Sequence, residues 1–136
     1  MTERDYTITE VEAISGISAF TLRYYDKCGF FPHIRRDARK KRFYRDADIR
    51  RLKLIESLRL SGLSIDGISA FLRAYDAGEF DAVSRMLEGQ LFRLGMLQEQ
   101  VISAREHLSQ VLNEWHTQNI SGLTPQGESE NTDNPL

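Results

Sequence analysis

Hydrophobic positions along this 136-residue chain fall into short helical blocks followed by one long seven-residue repeat. In "TITEVEAISG", Thr9 is expected to cap a first helix, with Glu12 three residues on completing a capping box and Gly16 ending the helix near Ser15. Ser18 then caps a second short helix reaching about Cys28, with Gly29 as its stop. Two short helices around a turn of about three residues make a helix-turn-helix.

Between Phe30 and Tyr44 the helical pattern lapses. Pro32 disfavours a helix there, and the extended pieces "FFPHIRR" and "KKRFY" predict a two-stranded hairpin, or wing. Its turn, near "RDARKK", has no Asn-Gly or Asp-Gly pair, so a longer or open loop is expected. Asp46 is positioned to cap a third helix carrying Ile49, Leu52, Ile55 and Leu58, with Gly62 as its stop. Ser64 can cap a fourth, with Ile65, Ile68, Leu72 and Tyr75 on one face and Gly78 beyond its end. These apolar faces need one another, so residues 5–77 are read as one domain, a winged helix-turn-helix with a small β-hairpin wing.

From about Asp81 to Trp115 no proline interrupts a heptad seam of Leu87, Leu94, Val101, Leu108 and Trp115, with Leu97, Ala104 and Val111 between them. Gln90 breaks it once. Such a seam needs a cover. Either a second copy supplies it, most simply as an antiparallel coiled coil in a two-fold dimer, or the helix folds back on the small domain. Residues 79–116 are therefore read as a dimerisation helix. Residues 117–136, "TQNISGLTPQGESENTDNPL", are polar and rich in Ser, Gly, Asn and Pro, and are expected to form a disordered tail. The fold class is mostly α.

Composition narrows the role. Hydrophobic residues at 40% and charged residues at 28% are ordinary for a globular chain, and no apolar run approaches the roughly 20 residues of a membrane span. The start, "MTERDYTITE", has neither the apolar core of a secretory signal nor the arginines of a transit peptide. With a single cysteine, no intrachain disulfide is available. A cytoplasmic protein without a membrane partner is expected. The net charge of −2 conceals a division: residues 1–60 carry fourteen Lys and Arg against nine Asp and Glu, a net of +5, and residues 61–136 carry four against eleven, a net of −7. Basic charge is densest in "IRRDARKKRFYR", residues 34–45, which is either a solvated loop or part of a polyanion-binding half.

The second helix of a helix-turn-helix enters the major groove of double-stranded DNA. Here it carries Thr21, Arg23, Tyr24, Tyr25 and Lys27, whose hydroxyls and cationic heads suit phosphate oxygens. Adjacent helical residues point about 100° apart, so one of the two tyrosines is expected to touch DNA and the other to pack inward, unless both belong to the core. Wing residues Arg35, Arg36, Lys40, Lys41 and Arg42 are placed to reach phosphates flanking the groove, each neutralised phosphate adding about 0.9 to the salt slope of binding.

The stretches "ITEVEAISGISAFTLRYYDKCGFFP", "RFY" and "DIRRLKLIESLRLSGLSIDGISAFL" resemble the N-terminal region of the MerR family of bacterial transcription regulators, over about residues 7–73. In that family a stretch like "TLRYYDKxG" is the recognition helix and its end, matched here by Thr21 to Lys27 and Gly29. A wing pattern of Gly-Tyr-Arg-x-Tyr is matched by Arg42 and Tyr44, with Lys40 and Lys41 standing where the Gly and Tyr would be. The resemblance implies phosphate contacts from Arg23, Tyr24, Tyr25 and Arg42, with Thr21 and Tyr44 as further candidates. It also implies an antiparallel coiled-coil homodimer bound to a pseudo-palindromic operator within a promoter spacer. Distortion of that DNA would let RNA polymerase engage both promoter elements, so the polymerase is an indirect partner.

The resemblance leaves the effector open. Metal-sensing relatives carry cysteines at the ends of the dimerisation helix, and this chain has none there; His107 and His116, nine apart, do not share the four-residue spacing of paired ligands. Neither a metal nor a cofactor is expected, and a small-molecule effector is left unassigned. Cys28, between Lys27 and the basic wing, could sense oxidants or could fill a small gap; the negative end of its helix opposes a thiolate. No catalytic set or phosphate-cradling loop is present, so an enzyme is not expected. The alternative to a promoter regulator is an architectural DNA-bending protein resembling phage excisionases, without promoter control.

Overall fold

In the computed structural model, which describes residues 4–122, a two-residue strand precedes the first helix. This β1, Tyr6–Thr7, leads directly into α1, Ile8–Ser15. The helix is capped two residues earlier than its sequence pattern predicts. Extended Thr7 occupies the N-cap: its Oγ1 accepts the Glu10 N–H at 3.2 Å, and Glu10 Oε1 accepts the Thr7 N–H at 2.9 Å. Thr9 already lies inside the helix. Glu12 has a different task, its Oε2 accepting the backbone N–H of Ala19 at 3.1 Å and so holding α1 to the start of α2, Ala19–Lys27. As expected, Ser18 caps α2, its Oγ accepting from the Thr21 N–H.

Beyond α2, Gly29 takes φ +84°, a left-handed conformation that costs a residue with a Cβ, and it turns the chain towards the wing. The wing strands are β2, Arg35–Arg36, and β3, Arg42–Tyr44, paired antiparallel with Arg36 opposite Arg42. β1 adds a third strand on the far side of β3, Tyr6 opposite Tyr44, so the sheet order is β1-β3-β2. The tip closes without glycine. Asp37 Oδ1 accepts from the backbone N–H groups of Arg39 and Lys41 at 2.9 and 2.8 Å, and Lys40 adopts φ +65°. Lys40 therefore takes up the left-handed conformation for which glycine is the usual residue.

The next helix, α3, spans Asp46–Leu60, and α4 spans Ile65–Asp76. Asp46 is the first helical residue of α3 rather than its cap. Arg45 holds the N-cap position, and its N–H is taken by Asp48 Oδ2 at 2.9 Å. Ile49, Leu52, Ile55 and Leu58 are all buried, as their spacing predicts, and they meet Val11, Leu22, Phe30, Phe31, Ile68 and Phe71 in one core. Along α4 the buried face is Ile68, Phe71, Leu72 and Ala74; Tyr75, expected there, is half exposed and stacks on Phe71. Arg51 binds three elements together: its Nε donates to the Phe30 carbonyl at 2.5 Å and its terminal nitrogens to both oxygens of Asp76 at 2.7 and 2.9 Å.

α5 runs from Phe80 to Gly122, 43 residues and so about 65 Å. By packing, the chain divides after Gln90. Val83 leans on the core, and Gln90 Nε2 donates to the Ser61 carbonyl at the end of α3 at 2.6 Å. The polar residue that interrupts the heptad pattern thus satisfies a helix-end carbonyl. In the second unit the side chains of residues 91–120 are all exposed, the seam positions Leu94, Leu97, Val101, Ala104, Leu108, Val111 and Trp115 included. The helix also continues past Trp115, against the expectation of a disordered tail from Thr117. Thr117 Oγ1 and Asn119 Nδ2 donate to the carbonyls of Asn113 and Trp115, one turn back, carrying polar side chains along the helix. The rest of the expected tail, 123–136, lies outside the described residues.

Candidate nucleic-acid interface

α2 has two unlike faces. Leu22 and Tyr25 are buried, and the Asp26 side chain is only 7% exposed. Phe20, Arg23, Tyr24 and Lys27, spaced i, i+3, i+4 and i+7, form the exposed face. Arg23 and Lys27 make no ion pair among the described residues. Thr21 is half-buried, its Oγ1 accepting from the Ser18 hydroxyl at 3.1 Å.

The adjacent tyrosines divide between the two faces. The Tyr24 ring is 47% exposed, and hydrogen bonding with Cys28 is the main cause raising its hydroxyl pKa. Tyr25 is 2% exposed, packs against Phe30 with ring centroids 5.5 Å apart, and donates to Glu56 Oε2 at 2.7 Å. Burial, reinforced by the Glu56 carboxylate, pushes the Tyr25 hydroxyl up to about 12. Expected as a phosphate contact, Tyr25 is instead a core residue with its hydroxyl engaged. Tyr44 departs from expectation in the same way. It is fully buried, edge-on to Phe31, and burial pushes its hydroxyl up to about 12, so it offers nothing to a phosphate. Cys28 is half-buried and packs against the core.

The wing arginines are less free than their charge suggests. Arg35 Nη1 bonds both oxygens of Asp5, at 3.0 and 2.8 Å. Arg36 and Arg42 both donate to Oδ2 of Asp26, Arg42 through Nε at 2.6 Å. That carboxylate, nearly buried at the end of α2, fastens β2 and β3 to that helix. Sequence spacing carries no sign of this clamp, since its members are ten and sixteen positions apart. Lys40 and Lys41, at the tip, are exposed and in no ion pair among the described residues; the Lys41 Nζ lies 6.0 Å from the Phe43 ring centroid. Among the described residues, the cations of α2 and the wing that stand in no ion pair are therefore Arg23 and Lys27 on α2, with Arg39, Lys40 and Lys41 on the wing.

Phe20 was not singled out by its chemistry, although its spacing from Arg23, Tyr24 and Lys27 places it on the same face. Beside that face a recess of about 450 Å³ opens at the helix-helix turn, with Ser18, Thr21, Tyr24 and Arg59 among its walls. Among the described residues no group of three His, Cys, Asp or Glu could hold a metal ion, and no helix is long and apolar enough to cross a membrane.

A helix-turn-helix with a wing and an exposed cationic helix face defines a DNA-binding module. Residues 6–75 match the model of the MerR HTH family regulatory proteins, and the chain belongs to that family. It is 35% identical over 68 residues to the uncharacterized HTH-type transcriptional regulator YyaN of Bacillus subtilis, covering 50% of this chain and 49% of that one. Over 74 residues it is 36% identical to an uncharacterized HTH-type transcriptional regulator of Haemophilus influenzae, covering 54% and 55%. The chain thus matches about half the length of these curated relatives. Among solved structures it is similar to HiNmlR, a MerR family regulator lacking the sensor domain, bound to promoter DNA, with a TM-score of 0.64, 26% identity and coverage of 88% of this chain and 95% of that one. These relatives are regulators of transcription rather than enzymes, and they do not favour the excisionase-like alternative.

Proposed function

We propose that this protein is a cytoplasmic transcription regulator that binds double-stranded promoter DNA as a homodimer. The observation that carries the reading is the juxtaposition of Arg23, Tyr24 and Lys27 on the open face of α2 with the unpaired Lys40 and Lys41 of a wing clamped to that helix by Asp26. α2 enters the major groove, and the wing lysines take flanking phosphates. The exposed seam from Leu87 to Trp115 pairs with its copy in an antiparallel coiled coil, setting two α2 helices on a pseudo-palindromic operator. Similarity to a promoter-bound relative supports the choice of DNA.

Control of transcription follows from deformation. Bending and untwisting a promoter spacer costs energy, which contacts available only on the distorted duplex offset. RNA polymerase then responds to the altered spacing, and a small molecule, if one acts, biases the dimer between two DNA-bound forms. Footprinting on the region upstream of the protein's own gene tests this, with one two-fold site overlapping a promoter spacer as the expected result. Arg23→Glu should abolish the specific gel-shift complex at physiological salt while sedimentation still reports a dimer. Specific binding retained by that variant, or protection insensitive to sequence, would refute the reading.

A further inference from the structure

We propose that Phe20 is a specificity-determining residue that reads the C5-methyl group of a thymine in each half-site. The inference rests on the DNA-binding role of α2 and goes one step further, to what the helix recognises. Phe20 is 76% exposed, more than any other large apolar side chain in α1 to α4, and among the described residues it makes no ring contact. It is no spillover from the core, because the core positions of α2 are filled by Leu22 and Tyr25. It sits in the first turn of the helix, the part of a recognition helix that meets base edges, while Arg23, Tyr24 and Lys27 continue the same face towards the C-terminal end.

A phenyl ring has no donor or acceptor and cannot bond a phosphate. Of the groups that base pairs present in the major groove, the thymine methyl is the apolar one, and phenylalanine is among the side chains that meet it. The rest of the face, Arg23, Tyr24 and Lys27, offers polar and charged groups suited to phosphates or to the polar edges of bases, and none that suits a methyl group. Phe20 supplies what those residues lack. Its first turn is held by the Ser18 cap and the Ser18–Thr21 hydroxyl bond, so the ring is presented from an ordered helix start.

The test uses the full chain and a library of random duplexes, from which bound sequences are selected. A thymine should recur at one symmetric position per half-site. Replacing it with deoxyuridine removes only the methyl group and should weaken wild-type binding about 4-fold per half-site, the worth of one buried carbon. Phe20→Ala should bind the thymine and deoxyuridine duplexes equally, with its thermal midpoint and salt slope unchanged. Three results overturn the inference: equal loss on deoxyuridine for wild type and Phe20→Ala, no loss at any thymine, or a changed sedimentation coefficient for Phe20→Ala, which would place the ring against protein. Selection of no sequence at all, with Arg23→Glu binding as wild type does, would overturn the DNA-binding reading as well; a selected operator without methyl dependence overturns this inference alone.

Discussion

The Tyr25 hydroxyl donates to the Glu56 carboxylate at 2.7 Å across 31 residues of sequence, and this bond fixes which of two adjacent tyrosines faces outward. Tyr24 is left on the solvent side of α2 beside Arg23. The two residues should therefore separate in experiment. Tyr25→Phe is expected to destabilise the fold by about 1.5–3 kcal/mol, the usual worth of a hydrogen bond to a charged partner, with DNA affinity and salt slope unchanged. Tyr24→Phe should leave denaturant unfolding unchanged and weaken DNA binding. Weaker DNA binding by fully folded Tyr25→Phe would show that the inner hydroxyl reaches the nucleic acid.

Tyr44 lies opposite Tyr6 in the sheet, and among the described residues its buried hydroxyl has no hydrogen-bond partner. An unpaired buried hydroxyl costs about 1–3 kcal/mol. Tyr44→Phe keeps the ring packing on Phe31 and removes that group, so it should raise the thermal midpoint while gel shifts match wild type. A fall in the midpoint would mean that the hydroxyl is satisfied after all.

Much of this architecture can be read from the chain because helical burial is periodic. Ile49, Leu52, Ile55 and Leu58 recur at three-residue intervals and all four are buried. β1 escapes such reading, since two residues have no period and Tyr6–Thr7 is a strand only because Tyr44 and Phe43 lie opposite it. Caps shift for a related reason. Thr7 and Thr9 each have an acid three residues on, and only the end of β1 selects Thr7. At the proposed interface, residue type marks Arg23, Lys27, Lys40 and Lys41 as candidates, but not which arginines are already paired. Asp26 meets Arg36 and Arg42 only after the wing has formed, a relation between elements rather than between neighbours.

Lys40 joins a structural cost to a proposed phosphate contact. Its left-handed backbone at φ +65° costs a residue with a Cβ about 1–2 kcal/mol relative to glycine, offset in part by the extra entropy glycine loses on folding. Lys40→Gly should therefore raise unfolding free energy by up to about 1 kcal/mol in denaturant titration. DNA affinity should fall, and the slope of log K against log salt should flatten by about 0.9 per protomer if the ammonium neutralises a phosphate. A steeper or unchanged slope would remove Lys40 from the contact set.

Stability should fall off at both ends of the pH range, for opposite reasons. Glu56 is held below its ordinary 4.5 chiefly by the Arg59 guanidinium, and Asp76 below its ordinary 3.8 chiefly by Arg51. Unfolded chains take up these protons first, so the stabilisation is complete above about pH 5 and lost as pH falls through the lower folded values. Tyr25 and Tyr44 act in reverse: raised from 10 to about 12, they stay neutral in the fold while the unfolded chain ionises, so the fold carries no ionisation penalty from them below pH 10 and loses stability as pH rises towards 12. Thermal midpoints should thus be level across the neutral range and decline below about pH 4.5 and above pH 10. Glu56→Gln should flatten the acid limb, and Tyr44→Phe the alkaline one. Absorbance at the tyrosinate band should show Tyr25 and Tyr44 ionising only as the fold is lost; all five tyrosines titrating together near pH 10 in folded protein would contradict their burial.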